Sequence, residues 1–95
     1  MNIDHILIGH IGVDSGQIMI ADPAYMDDFG SKPGFGYSQA ADASLSGGGV
    51  VGEFDHIRGA GLAVATATAN GDGVYPVFQV VEDGQLVGLF IDLEG

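Results

Sequence analysis

The sequence predicts a mainly β fold: a small antiparallel sheet or barrel- or sandwich-like domain built from hairpins, with at most one short helix in the middle. Three observations lead there. Short runs rich in Val, Ile, Thr and aromatic residues alternate with clusters of Gly, Asp and Asn, the composition of strands punctuated by tight turns. Leu, Ile, Val and Phe make up 28 of the 95 residues, above the fraction of roughly 20% below which chains tend to stay unfolded. Cysteine is absent, which removes disulfides, thiolate metal sites and Fe–S clusters together and leaves packing, or packing plus assembly, to hold the chain. The length suits one domain over 1–95.

Taken in order, residues 5–13 and 17–21 are apolar runs around Asp14-Ser15-Gly16 and predict an N-terminal hairpin over about 5–21. Ile and Val fall on both faces of its first run, which suggests burial on both sides. Asp22-Pro23 ends the second run, because proline lacks a donor and pushes its predecessor away from helical geometry. The middle, about 27–61, holds nine of the seventeen glycines with Pro33 and several serines, and reads as a glycine-rich loop. Within it residues 38–46 are weakly helical and 49–54 weakly strand-like.

The last third is the most legible. Residues 62–69, 74–81 and 86–93 are β-rich and separated by Asn70-Gly71-Asp72-Gly73 and by Asp83-Gly84, which predicts a three-stranded meander over about 62–93. A two-residue turn at Asp83-Gly84 sets Val81 opposite Leu86, Val80 opposite Val87, Phe78 opposite Leu89 and Pro76 opposite Ile91. One face then carries Val74, Pro76, Phe78, Val80, Val87, Leu89, Ile91 and Leu93 without a polar side chain. Pro76 cannot donate to a ladder, so its strand should have an edge or a bulge there. The first strand puts Ala63, Ala65, Ala67 and Ala69 on one side, a face suited to close approach by another layer.

The stretches Gly12-Val13-Asp14-Ser15-Gly16-Gln17, Asp22-Pro23-Ala24-Tyr25, Tyr37-Ser38 with Ala43-Ser44-Leu45, and Gly71-Asp72-Gly73-Val74-Tyr75-Pro76-Val77 together resemble a family of small bacterial and phage proteins of unknown function. The resemblance touches most of the chain and carries no activity with it. It implies cysteines where this chain has Ala24 and Ala41, so a thiol-dependent function does not operate here.

Charge excludes most nucleic-acid functions. Thirteen acidic residues against Lys32 and Arg58 give a net charge of −11, which repels phosphate backbones and anionic membranes. Mimicry of DNA by acidic residues is disfavoured as well. A folded chain of this mass exposes on the order of 5,000 Å², and duplex DNA, with one charge per ~1.7 Å of axis, is about four times denser in charge. The start lacks a basic n-region and no apolar run reaches the ~18 residues of a span, so a soluble cytoplasmic protein is the expectation.

Catalytic constellations do not survive comparison with simpler accounts. Gly47-Gly48-Gly49-Val50-Val51-Gly52 fits G-x-G-x-x-G, but a dinucleotide site needs that loop between a strand and a helix of a βαβ unit. Gly36-Tyr37-Ser38-Gln39-Ala40 is one residue from a nucleophile elbow and lacks the large sheet such a turn requires. Asp14-Ser15-Gly16 near His10 reads as a β-turn rather than part of a triad. His5, His10 and His56 are dispersed, and an odd separation puts His5 and His10 on opposite faces of a continuous strand. The turn aspartates are the chemistry that remains: if strand ends meet, Asp14, Asp22 and Asp72 could converge on a divalent cation, which prefers oxygen ligands.

The expectation is therefore a non-enzymatic binding or interaction module, with no cofactor, which forms a homodimer through sheet faces or an edge and takes an unknown protein or small-molecule partner. The alternative is a metal-assisted hydrolase or metal-stabilised domain using Asp14, Asp22 and Asp72.

Overall fold

The computed structural model describes residues 2–55 and 57–94, so His56 lies outside the described residues. The fold is mainly β, as expected, with strands β1 (Ile3–Val13), β2 (Gln17–Ala21), β3 (Gly49–Val51), β4 (Ala63–Ala67), β5 (Gly73–Glu82) and β6 (Gln85–Ile91). A 3-10 helix (Pro23–Asp28) and one α-helix, α1 (Tyr37–Leu45), lie between β2 and β3. The strands form two antiparallel sheets, ordered β1-β5-β6 and β2-β4-β3. Contacts divide the chain into two compact units, Met1–Gly16 with Ala69–Gly95, and Gln17–Thr68.

The expected N-terminal hairpin does not form, and of the expected C-terminal meander the β5–β6 hairpin forms while β4 does not pair with β5. Both sets of strands exist, but β1 pairs with β5, and β2 with β4. Length explains the exchange. Eleven residues of β1 match ten of β5, and five of β2 match five of β4, so these pairings satisfy the most backbone groups. Asp14-Ser15-Gly16 and the segment around Asn70 thus lead from one unit to the other instead of closing hairpins.

In the first unit the β5–β6 hairpin closes at Asp83-Gly84, whose φ values of 50° and 83° are the left-handed pair that a type I′ turn needs. Val81 faces Leu86 as expected. A bulge then leaves Val87 without an opposite number, and from there Val80 faces Gly88, Phe78 faces Phe90 and Val77 faces Ile91. The one-residue slip exchanges faces: Leu89 and Ile91 join the side of Val77 and Gln79, and Phe90 joins Phe78. A second bulge at Ile8 in β1 has the same effect, since Leu7 faces Phe78 and Gly9 faces Val77. His5 opposite Val80 and His10 opposite Pro76 therefore share a face, where unbroken alternation would have separated them. That face, expected to be wholly apolar, also carries Glu82.

Pro76 sits in the central strand, at the place where its second neighbour stops. Its carbonyl accepts from Asp92 N at 3.1 Å, one residue beyond the end of β6. Its missing N–H would have pointed to that same side, so little pairing is lost.

The second unit has the hydrophobic core: Phe35, Ala40, Val51, Leu62, Ala63 and Ala65, with Tyr25, Phe29, Ala43 and Phe54 packed against them. Half of the expected alanine face takes a close layer: Ala63 and Ala65 do, whereas Ala67 and Ala69 are exposed. Ala63 and Ala65 are buried beside Ala40 of α1, and small side chains let helix and strand backbones approach. Ser44, one turn on from Ala40, donates its hydroxyl to Gln17 Oε1 at 2.6 Å and fastens the helix to β2. Phe29 meets Phe35 edge to face at 5.2 Å. The helix at 37–45 and the strand at 49–51 lie where the sequence indicated them.

Candidate functional site

The most unusual surface belongs to the first unit. A three-stranded sheet normally hides at least one face, since apolar burial is what stabilises it. Here Ile3, Ile6, Leu7, Ile8, Val74, Leu86, Val87, Leu89 and Phe90 are all between 46% and 66% exposed. Single exposed apolar residues are ordinary, but neighbouring ones that together expose on the order of several hundred Å² mark an interaction surface.

The two faces differ. One groups Leu7, Phe78, Val80 and Phe90 by register, with Phe78 stacked on Phe90 at 6.0 Å and His5 edge-on to Phe90 at 5.9 Å. The other groups Ile6, Val77, Leu89 and Ile91 and runs toward Tyr75. Tyr75 is buried and donates its hydroxyl to Gly71 O at 2.7 Å. Sequence alternation pointed to an apolar sheet, but read apolar residues on both faces of β1 as burial, and the bulges that assemble the aromatic face leave no mark in composition.

The three candidate metal ligands are placed as follows. Asp14 and Asp72 stand one residue beyond the last β1–β5 pair, Val13 with Gly73, and line one open hollow of about 560 Å³ with Gly12 and Val74. An added Cβ at Gly16 would stand 4.0 Å from Asp72 Oδ1, so the two turns are neighbours. Asp22 belongs to the second unit, where it caps the 3-10 helix by accepting from Ala24 N at 2.9 Å. Such capping is what an aspartate before Pro23 supplies by itself. Among the described residues no group of three or more His, Cys, Asp or Glu is arranged to hold a metal ion. Two carboxylates fall well short of the six to eight oxygens that calcium takes.

Other candidates resolve into structure. The G-x-G-x-x-G stretch follows helix α1 and runs into β3, the reverse of the strand-then-helix order that presents amides to a pyrophosphate. A shallow hollow of about 350 Å³ in the second unit is lined by Met19, Ala21, Tyr25, Met26, Phe29 and Phe35, beside Asp22 and Pro23. It is of small-ligand size, with one charged group at its rim. Among the described residues no helix is long and apolar enough to cross a membrane. Comparison with protein-family models, curated proteins and solved structures finds no match to the chain, so its function is read from the geometry alone.

Proposed function

We propose that this chain is a non-enzymatic interaction module that works through the uncovered β1-β5-β6 sheet, and that its partner is a second copy of itself. The observation that carries the reading is the row of half-exposed Ile, Leu, Val and Phe side chains on a sheet of only three strands. Leaving that surface in water forgoes about 25 cal/mol for every Å² that a partner would cover. Small domains without disulfides or metals commonly make up their missing core by assembly.

The metal-assisted alternative rests on Asp14 and Asp72 alone, and it explains none of the exposed apolar surface. Sedimentation across micromolar concentrations tests the interaction reading. The expected result is a mass that rises toward two chains, and a compact monomer throughout would overturn it.

A further inference from the structure

We infer that the hollow in the second unit binds a small organic cation, an arylalkyl amine whose ring enters the apolar interior and whose ammonium group meets Asp22 at the rim. The inference stands apart from self-association, since the hollow lies within Gln17–Thr68 and the uncovered sheet belongs to the other unit.

The walls are in place before a ligand arrives. Strand β2 supplies Met19, the 3-10 helix supplies Tyr25 and Met26, and the turns that follow supply Phe29 and Phe35. Gly30 N donates to Phe35 O at 2.8 Å and Phe35 N to Lys32 O at 3.1 Å, which pins this loop. Phe29 rests edge to face on the buried Phe35. A ligand therefore meets a surface already ordered by the core, and binding costs little further ordering. At about 350 Å³ the hollow stands at the small end of ligand sites, with room for a bicyclic ring and a short side chain.

Charge and wall chemistry select a cation. Asp22 is the one charged residue lining the hollow among the described residues. Its carboxylate accepts a single hydrogen bond there, from Ala24 N at 2.9 Å, out of about four lone-pair sites. No Lys or Arg lines the hollow, so an anion meets repulsion without a counter-charge, and a neutral ligand strips water from Asp22 without offsetting its charge. Aromatic faces attract a cation within about 6 Å, and polarisable thioethers pack well against aromatic rings. Met26, 74% exposed, is apolar surface that such an occupant covers. The net charge of −11 draws cations toward the chain as a whole.

Because the chain contains no tryptophan, the fluorescence anisotropy of an indole probe reads binding directly. Tryptamine should bind saturably and about tenfold more tightly than tryptophol, which carries a hydroxyl in place of the ammonium. Indole-3-propionate, with a carboxylate at that position, should bind more weakly still. Asp22→Asn keeps a capping side chain and should reduce tryptamine to the affinity of tryptophol. Asp27→Asn removes the same charge from a residue that does not line the hollow, and should leave the tryptamine affinity within about twofold, which separates a local ion pair from attraction by net charge. Should Asp22→Asn not fold, Met26→Lys sets a like charge at an exposed rim position and should weaken tryptamine but not tryptophol. Equal affinities for the three probes, equal losses in Asp22→Asn and Asp27→Asn, or tryptamine binding unchanged by the Asp22 and Met26 substitutions would overturn the inference. So would the absence of saturable binding.

Discussion

Tyr75 shows how one side chain holds a turn. It is 3% exposed on a sheet many of whose large side chains are open, and its hydroxyl reaches back four residues to donate to Gly71 O at 2.7 Å. The ring lies 3.6 Å from where a Cβ at Gly73 would stand, so it covers the Gly71–Gly73 turn and fixes the backbone that presents Asp72. A tyrosine buries an apolar ring and spends its polar tip on a partner, and the ring alone could be supplied by phenylalanine. Tyr75→Phe should therefore cost about 1 kcal/mol, which for a domain this size lowers the melting midpoint by roughly 4–8 °C. Calorimetry reads the change, and an unmoved midpoint would show that the hydroxyl contributes nothing net.

Strand contacts fix the second unit at the scale of elements. Gly61 lies two residues before β4 and packs against β3. An added Cβ would stand 2.8 Å from Val50 Cβ, 3.0 Å from Ala63 O and 3.1 Å from Val51 O. Two of those three are backbone atoms that cannot rotate away, so Gly61→Ala should destabilise by about 1–3 kcal/mol, as overpacking does. Urea unfolding would register this as a lower midpoint at unchanged slope, and an equal midpoint would mean that β3 can shift freely. Elements of this kind were readable in the sequence where the signal is local. Asp83-Gly84 announced its hairpin because a left-handed pair of residues closes it, and Ala63 and Ala65 announced a close layer because small side chains let another element approach. Pairing between distant strands was not readable, since β1 can satisfy its backbone groups against any strand of matching length. Nor were the bulges at Ile8 and Val87, each a single unpaired residue that turns everything beyond it to the other face. His5 with His10, and Phe78 with Phe90, share a face only for that reason. Of the candidate ligands, Asp14 and Asp72 were correctly read as strand-end residues and do meet at one hollow, while Asp22 serves as a helix cap.

Electrostatics decides behaviour at the scale of the whole molecule. Lys32 and Arg58 both lie in the second unit, so the first unit folds its seven carboxylates with no opposite charge of its own. Acids gather at both ends of its sheet: Asp4, Glu82 and Asp83 near one, Asp14, Asp72, Asp92 and Glu94 near the other. Exposed like charges repel over about a Debye length, which shrinks from about 30 Å at 0.01 M salt to about 10 Å at 0.1 M. Compaction brings these groups closer than the unfolded chain does, so screening favours the folded state. The melting midpoint should rise by several degrees between those two ionic strengths at fixed protein concentration. Repeating the upper point with magnesium, calcium, manganese or zinc at equal ionic strength separates screening from coordination. Screening depends on ionic strength, so the divalent salts should reproduce the sodium midpoint to a first approximation. A site occupied at 100 times its dissociation constant would add about 2.7 kcal/mol for one cation over the others. Such a selective rise, lost in Asp14→Asn and Asp72→Asn, would make those two carboxylates ligands and revive the metal-dependent reading. Matching midpoints would leave them as repelling neighbours at a strand end.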